Sequence, residues 1–508
     1  MRYRLLVLTT SFLCLSGNAL YANDAENKTV DNDLSHVYQI SSEQNATFKS
    51  AYATFKANEE NIPINRGALL PNVTLSDQLQ YNYANQPTAG QKQWYYSNMP
   101  QAQLTQVIFD FGLWNTYTQA QFQTKADAIT FDQARQTLVT SVSQAYFNIL
   151  QAEDNLKFAQ SSQNWNHELL KQTQQKYDVG LAAITDVQST KAQYEQAVAQ
   201  TVSAQNSLDN AYESLAQITG VQMRNIVPLK TDFPFVKPKP DNINAWLNVA
   251  MKNNLTVVQN QFLVDVAKKQ VNIDWGAFLP SASLQATSNS TANYQSVPSS
   301  TTYTNNIGIT GTWVLLNGGT DYSTVKQDKF NLKAAEYNLL QSQRDTESNL
   351  RQAYLSVIAD ISQVKAFEQS VISNESSLKA MRAQYNVGTS TIVDLLNQQQ
   401  QLLNAQQQYA QAKYQYINDI LNLKLQAGTL APQDLNSINK WLGFNDTKNE
   451  SEATKALTGG DYTPTNAELK QEEQQDSAVT TPSPAKNLKQ SNSNEAKIIC
   501  VSHAALNS

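Results

Sequence analysis

Asp186 and Asp394 occupy the same place in two copies of one motif. Ile184-Thr185-Asp186-Val187 recurs as Ile392-Val393-Asp394-Leu395, 208 residues further on. The preceding stretch recurs at the same offset, Tyr177-Asp178-Val179-Gly180 as Tyr385-Asn386-Val387-Gly388. A glycine break followed by a fresh apolar-periodic run marks a chain reversal between helices. A carboxylate in the first turn after it suits the positive end of the helix dipole. No bond-making chemistry accompanies these acids. His36, His167 and His503 are scattered, and there is no phosphate loop, metal-ligand cluster or nucleophile motif. The chain does not read as an enzyme, and it implies no cofactor and no metal.

The elements that must position the two aspartates are themselves duplicated. Ala145-Tyr146 matches Ala353-Tyr354, Gly220 matches Gly428, and Gly67-Ala68-Leu69-Leu70-Pro71 matches Gly276-Ala277-Phe278-Leu279-Pro280. Each copy opens on a helix, about 37–61 and about 243–275, free of Pro and Gly. Pro71 and Pro280 then forbid helix and favour extended chain. Val73, Leu75, Leu79, Tyr81 and Tyr83 share one parity against Thr74, Ser76, Gln78, Gln80 and Asn82. Ile307, Ile309, Gly311, Trp313 and Leu315 alternate in the second copy, with further strands around 101–110 and 281–292 and loops at about 84–100 and 293–302. A period of two over about ten residues, with aromatics near the ends, is what a membrane barrel strand needs. A soluble two-stranded hairpin on a helix would use the same pattern.

Four strands cannot close a barrel, because the smaller closed ones have about eight. Open edges in lipid leave backbone groups unsatisfied, so several chains must share one barrel. After Gly112 the chain runs to Gly180 without Gly or Pro, roughly 100 Å of helix. The stretch from Asp321 to Val387 is its equal, and return helices follow at about 184–219 and 391–427. Leu395, Leu402, Tyr409, Tyr416 and Leu423 fall seven apart, beside a second row at Leu396, Leu403, Ala410 and Ile417. Such heptads predict coiled-coil packing. The glutamines between them (Gln399 to Gln401, Gln406 to Gln408) suit a wall facing water.

Arg2, Arg4 and the apolar run from Leu5 to Leu15 read as a secretory signal over 1–22. No later run is apolar enough for a membrane helix. The formal charge of −6 becomes about −8 without the two arginines, and no basic face suggests nucleic acid. Cys14 would leave with the signal, so Cys500 has no internal disulfide partner. The first repeat spans 23–220, a proline-bearing linker 221–242, the second repeat 243–430, and a short segment 431–445. The polar tail over 446–508 has a disordered composition.

This arrangement resembles the TolC family of outer-membrane factors over nearly all of residues 35–435, most specifically through the segments 179–187 and 385–394. The resemblance implies an α+β membrane protein. A homotrimer would build a 12-stranded β-barrel, four strands per chain, continued by a long periplasmic α-helical coiled-coil barrel with a belt around its middle. It would stand in outer-membrane lipid, extend into the periplasm, and conduct drugs or secreted proteins from a tripartite efflux pump or type I secretion system. The partners implied are a periplasmic adaptor protein and an inner-membrane pump or ABC exporter. Gly180, Leu181, Gly388 and Thr389 would be the adaptor-contact tip. Thr185, Asp186 and Tyr385 would hold the periplasmic gate shut, and Asp394 would form a ring at the constriction.

Two gate positions depart from the family pattern. Ser390 stands where relatives carry an arginine, and Asn397 where they carry a second acidic ring. Ser390 cannot ion-pair with Asp186, which implies a weaker latch, and one ring attracts cations less than two. The rival reading is a structural coiled-coil protein of the cell envelope, which would have no use for the four alternating strands.

Overall fold

The computed structural model describes residues 32–86, 91–230, 233–293 and 300–443. The expected signal segment, and the polar tail from 446 with Cys500 and His503, lie outside the described residues. The chain folds as helices α1 (Leu34–Gln44), α2 (Ala46–Glu59) and α3 (Asn61–Gly67), strands β1 (Asn72–Gln86) and β2 (Gln91–Phe109), and helices α4 (Phe111–Asp178) and α5 (Ile184–Thr219). The order then repeats: α6 (Ile243–Asn253), α7 (Leu255–Trp275), β3 (Ser281–Asn293), β4 (Ser300–Thr312), α8 (Thr320–Asn386) and α9 (Ile392–Gln426), with α10 (Pro432–Asn439) at the end.

The strands form one antiparallel sheet in the order β1-β2-β3-β4, so β1 and β4 each leave an edge unpaired. Its outward apolar side chains are exposed: Val73 is 69%, Leu75 84% and Ile307 77% exposed. Aromatic groups mark both ends of this apolar band. Tyr81 stands opposite Tyr96 and Tyr83 opposite Trp94, with Tyr81 stacked on Trp94 at 5.0 Å. At the other end Trp275 packs on Phe278 at 5.3 Å, and Trp313 Nε1 donates to Phe278 O at 3.0 Å. Amphipathic rings of this kind settle at the two faces of a membrane. No described helix is long and apolar enough to cross one.

Each long helix folds back on its return helix as a hairpin, α4 on α5 and α8 on α9. Both heptad rows of α9 turn inward: Leu395, Leu402, Tyr416 and Leu423 are buried, as are Leu396, Leu403, Ala410 and Ile417. Only Tyr409 remains half-exposed. The main core forms where the linker and α10 wrap the hairpin stems. Tyr146 donates to Val227 O at 2.8 Å and Tyr416 to Val236 O at 2.7 Å. Phe233 packs edge-on against Trp441. Lys424 and Asp434, both buried, pair at 2.8 Å and tie α10 to α9.

The structure corrects five of the expected elements. The helices expected over 37–61 and 243–275 are each broken, at Asn45 and Asn254. Both residues take an extended backbone (ψ 118° and 121°) and cap the helix that follows, Asn45 accepting from Phe48 N–H and Asn254 from Thr256 N–H. Their amides then donate to the last turns of the return helices, at Ile218 O and Gln426 O, each 2.9 Å. The loop expected over 84–100 contracts to the stretch between Gln86 and Gln91, because Trp94 and Tyr96 extend the outward alternation. The loop expected over 293–302 contracts likewise, and the last strand ends at Thr312 rather than near Leu315, ahead of two left-handed glycines, Gly318 and Gly319.

The returns of the two hairpins end on Gly220 and Gly428, at φ +71° and +70°. A Cβ at Gly220 would meet only Gln44 Cβ at 3.5 Å, whereas at Gly428 it would lie 2.1 Å from the carbonyl oxygen of Asn253. We therefore expect Gly220→Ala to cost about 1–2 kcal/mol through its backbone conformation alone. Gly428→Ala should cost clearly more, because the Asn253 backbone must also move. Thermal unfolding of the two variants in detergent should rank them in that order.

Candidate functional site

The hairpin tips are built by a shared piece of backbone chemistry. Gly180 and Gly388, at φ +77° and +79°, end α4 and α8 in left-handed turns. Leu181 N–H donates to Lys176 O at 2.7 Å and Thr389 N–H to Gln384 O at 3.0 Å, closing both helix ends. The turns project outward: Leu181 is 78% exposed, and Gly180, Gly388 and Thr389 are exposed as well.

The return helices then start differently in the two copies. Thr391 Oγ1 donates to Asp394 Oδ2 at 2.6 Å and accepts from Asp394 N–H at 3.1 Å, while Thr391 N–H donates to the same carboxylate at 3.2 Å. This is a reciprocal capping box. The Thr391 hydroxyl and then its N–H hold the Asp394 carboxyl below the usual aspartate range. In the first copy the corresponding cap is Ala183, which has no polar side chain to offer, and among the described residues Asp186 has no side-chain hydrogen-bond or ion-pair partner. Two repeat-equivalent aspartates thus have different tasks: one is engaged at its own helix start, and the other is uncommitted.

Of the remaining expected gate residues, Ser390 donates to Met381 Sδ at 2.9 Å with Asp394 Oδ2 at 3.5 Å. Thr185 and Asn397 are exposed. Tyr385 is not hydrogen-bonded to Thr185 or Asp186 within the chain. It packs against the small cluster of Leu169, Ile392, Leu395 and Leu396, and its ring lies 4.4 Å beneath the Lys176 ammonium. That cation–π contact joins the end of α4 to the end of α8, so the two tips are held to one another across the repeats. Lys176, Thr391 and Met381 were not singled out in the sequence. Thr391 had a usable signal in its Thr-x-x-Asp spacing; Lys176 had none, since its partner is over 200 residues away.

Along the stems, α4, α5 and α9 border an open groove of roughly 980 Å³. Gln144, Asn148 and Gln151 of α4, Gln200 of α5, and Asn404 and Gln407 of α9 line it, and no formally charged side chain does. Among the described residues no cluster of three or more His, Cys, Asp or Glu could hold a metal ion. The geometry offers exposed tips, open sheet edges and a groove rich in amides.

Comparison with known proteins agrees with this architecture. The family model described as outer membrane efflux protein matches residues 37–221 and again 246–429, one match per repeat. Outer membrane protein TolC of Escherichia coli (strain K12) is 34% identical over 423 residues, covering 81% of this chain and 85% of that protein. The alkaline protease secretion protein AprF of Pseudomonas aeruginosa is 25% identical, over 78% of this chain and 85% of its own length. The crystal structure of the Campylobacter jejuni CmeC outer membrane channel superposes with a TM-score of 0.68 at 20% identity, covering 85% of this chain and 90% of that one. With both repeats matched and the sheet and paired hairpins in place, the chain belongs to the outer membrane efflux protein family.

Proposed function

We propose that three copies of this chain close a shared 12-stranded barrel and that their hairpin tips form its periplasmic gate. The chain is an outer-membrane exit duct of the efflux and type I secretion class, extending into the periplasm. The observation that carries the trimer is the open sheet: four strands with an unpaired edge at β1 and another at β4, and apolar side chains facing outward between two aromatic belts. Joining β4 of one copy to β1 of the next satisfies every edge, and three copies give a closed set of twelve.

In this reading Asp394 lines the constriction as a ring of three carboxylates, kept ionised by Thr391. Asp186, uncommitted within its own chain, is free to accept a donor from a neighbouring copy. The Lys176–Tyr385 contact ties the two hairpins of one copy together, so the gate moves as paired tips. Gly180, Leu181, Gly388 and Thr389 form the exposed rim that a periplasmic adaptor contacts, and an inner-membrane pump or exporter delivers the cargo. The amide-lined groove faces the passage. A structural rod has no need of an apolar sheet with two open edges.

Detergent-solubilised protein should run as a trimer by light scattering after correction for detergent, and in planar bilayers it should conduct ions. A monomer without conductance would refute the duct. Cation block reads the gate separately: Asp394→Asn should relieve block by divalent cations about tenfold or more, because the ring loses its charge. Asn397→Asp, which adds a second ring, should strengthen that block. If neither substitution changes block, the constriction lies elsewhere while the duct still stands.

A further inference from the structure

The middle of the second hairpin holds a buried acid, Asp360, beside a half-buried one, Asp419, that the duct does not explain. Asp360 of α8 is 8% exposed, and across the helix seam it faces the carboxyl of Asp419 on α9. Asp360 Oδ2 is fully covered and receives no hydrogen bond from any donor group of the protein. Neighbouring acids are treated differently. Glu153 accepts from the Tyr212 hydroxyl at 2.6 Å, Asp154 from Tyr414 at 2.9 Å and Asp241 from Tyr354 at 2.8 Å. An ionised carboxylate is an acceptor only, so two facing carboxyls can bond only if a proton lies between them.

The duplication supplies an internal control. The repeat equivalents of Asp360 and Asp419, at the offset of 208, are Ala152 and Ala211, which pack on the main core at the same level of the α4–α5 seam. The hairpin geometry therefore does not require acids there. Nor do nearby charges compensate them. One turn away on α8 stand Ser356, Val357, Gln363 and Val364; on α9 stand Gln415, Tyr416, Asn422 and Leu423. Gln415 donates to Asp419 at 3.1 Å, and the hydroxyl of Tyr416, the other ionisable group facing the pair from α9, is engaged at Val236. From the segment ahead of α6, Asp241 is taken up by Tyr354 and Lys237, and α6 has only Lys252, at its far end.

We propose that Asp360 and Asp419 form a shared-proton site that clamps α8 to α9 while it is occupied and loosens that seam when the proton leaves for water. The first hairpin, with its two alanines, has no such pair, and its nearest acid, Glu153, is held by the Tyr212 hydroxyl. Burial, and then the hydrogen bond and charge of Asp419, push the Asp360 carboxyl up to about 7 from its ordinary 3.8. The folded chain thus holds this proton more tightly than the unfolded one. The stabilisation is complete below the ordinary value and is lost as pH rises through about 7. Above that, two carboxylates face each other with no cation one turn away on either helix.

Hydrogen–deuterium exchange of the full-length protein in detergent would test this, comparing segments 355–364 and 415–423 with their repeat equivalents 147–156 and 207–215. The equivalents cancel the intrinsic pH dependence of exchange. Between about pH 6 and about pH 8 the protection ratio of second to first hairpin should fall about tenfold in the natural sequence. It should stay flat in Asp360→Asn and in the double substitution Asp360→Ala/Asp419→Ala, which copies the first repeat. Infrared spectra should show a protonated carboxyl band on the acid side that Asp360→Asn removes. A flat ratio in the natural sequence, a fall that persists in the double alanine variant, or a carboxyl band that survives Asp360→Asn would each overturn the proposal.

Discussion

An unpaired strand edge is the constraint on which the rest of this molecule depends. Each backbone N–H or C=O left open in hydrocarbon costs several kcal/mol, and a four-stranded sheet leaves two rows of them. The order β1-β2-β3-β4 places one open row at the first strand and the other at the last. Among the described residues no further strand pairs with either row. The sheet's outward apolar face imposes a second demand in the same place, since it would be unstable in water. Strand count, side-chain alternation and aromatic belts are thus consequences of one requirement, and they fix where the helical part must begin.

The helical part answers a different requirement, that of holding very long helices in register. A seam of small and apolar residues does this along α9, but a seam alone can slide. The stems are pinned by polar contacts that recur at the repeat spacing. Asn45 and Asn254 each cap one helix and grip the end of a return helix, at Ile218 and Gln426. The linker adds a lock on each side through the Tyr146 and Tyr416 hydroxyls. Repetition ends at the tips and at mid-stem. Thr391 engages Asp394 where Ala183 leaves Asp186 open, and Asp360 with Asp419 replaces Ala152 with Ala211. The second copy carries the ionic specialisation.

Much of this was legible in the sequence because it rests on periodicity and duplication. The period of two in Val73 to Tyr83 and the heptads from Leu395 to Leu423 survive into the structure. The unbroken runs before Gly180 and Gly388 became α4 and α8. Asn45 and Asn254 were hidden because an asparagine inside a helical pattern has no signature until its carbonyl partner is known. The strand from Gln91 to Pro100 was hidden by its polar residues, which one-sided alternation tolerates. At the tip the positions of Asp186 and Asp394 were legible but not their difference, which depends on the cap residue three places earlier. The Lys176–Tyr385 contact and the Asp360–Asp419 pair link distant segments, and only the folded chain brings them together.

The amide-lined groove has a consequence for what can travel beside it. Glutamine and asparagine side chains donate and accept with nearly equal ease, much as water does. A peptide or small molecule moving past them exchanges one hydrogen bond for another of similar strength. It finds no fixed charge to hold it, and the apolar groups beside the amides are mostly small alanines. In the proposed duct such a wall acts as a lubricant, wetting unlike cargoes equally and retaining none, which leaves the choice of cargo to whatever loads it.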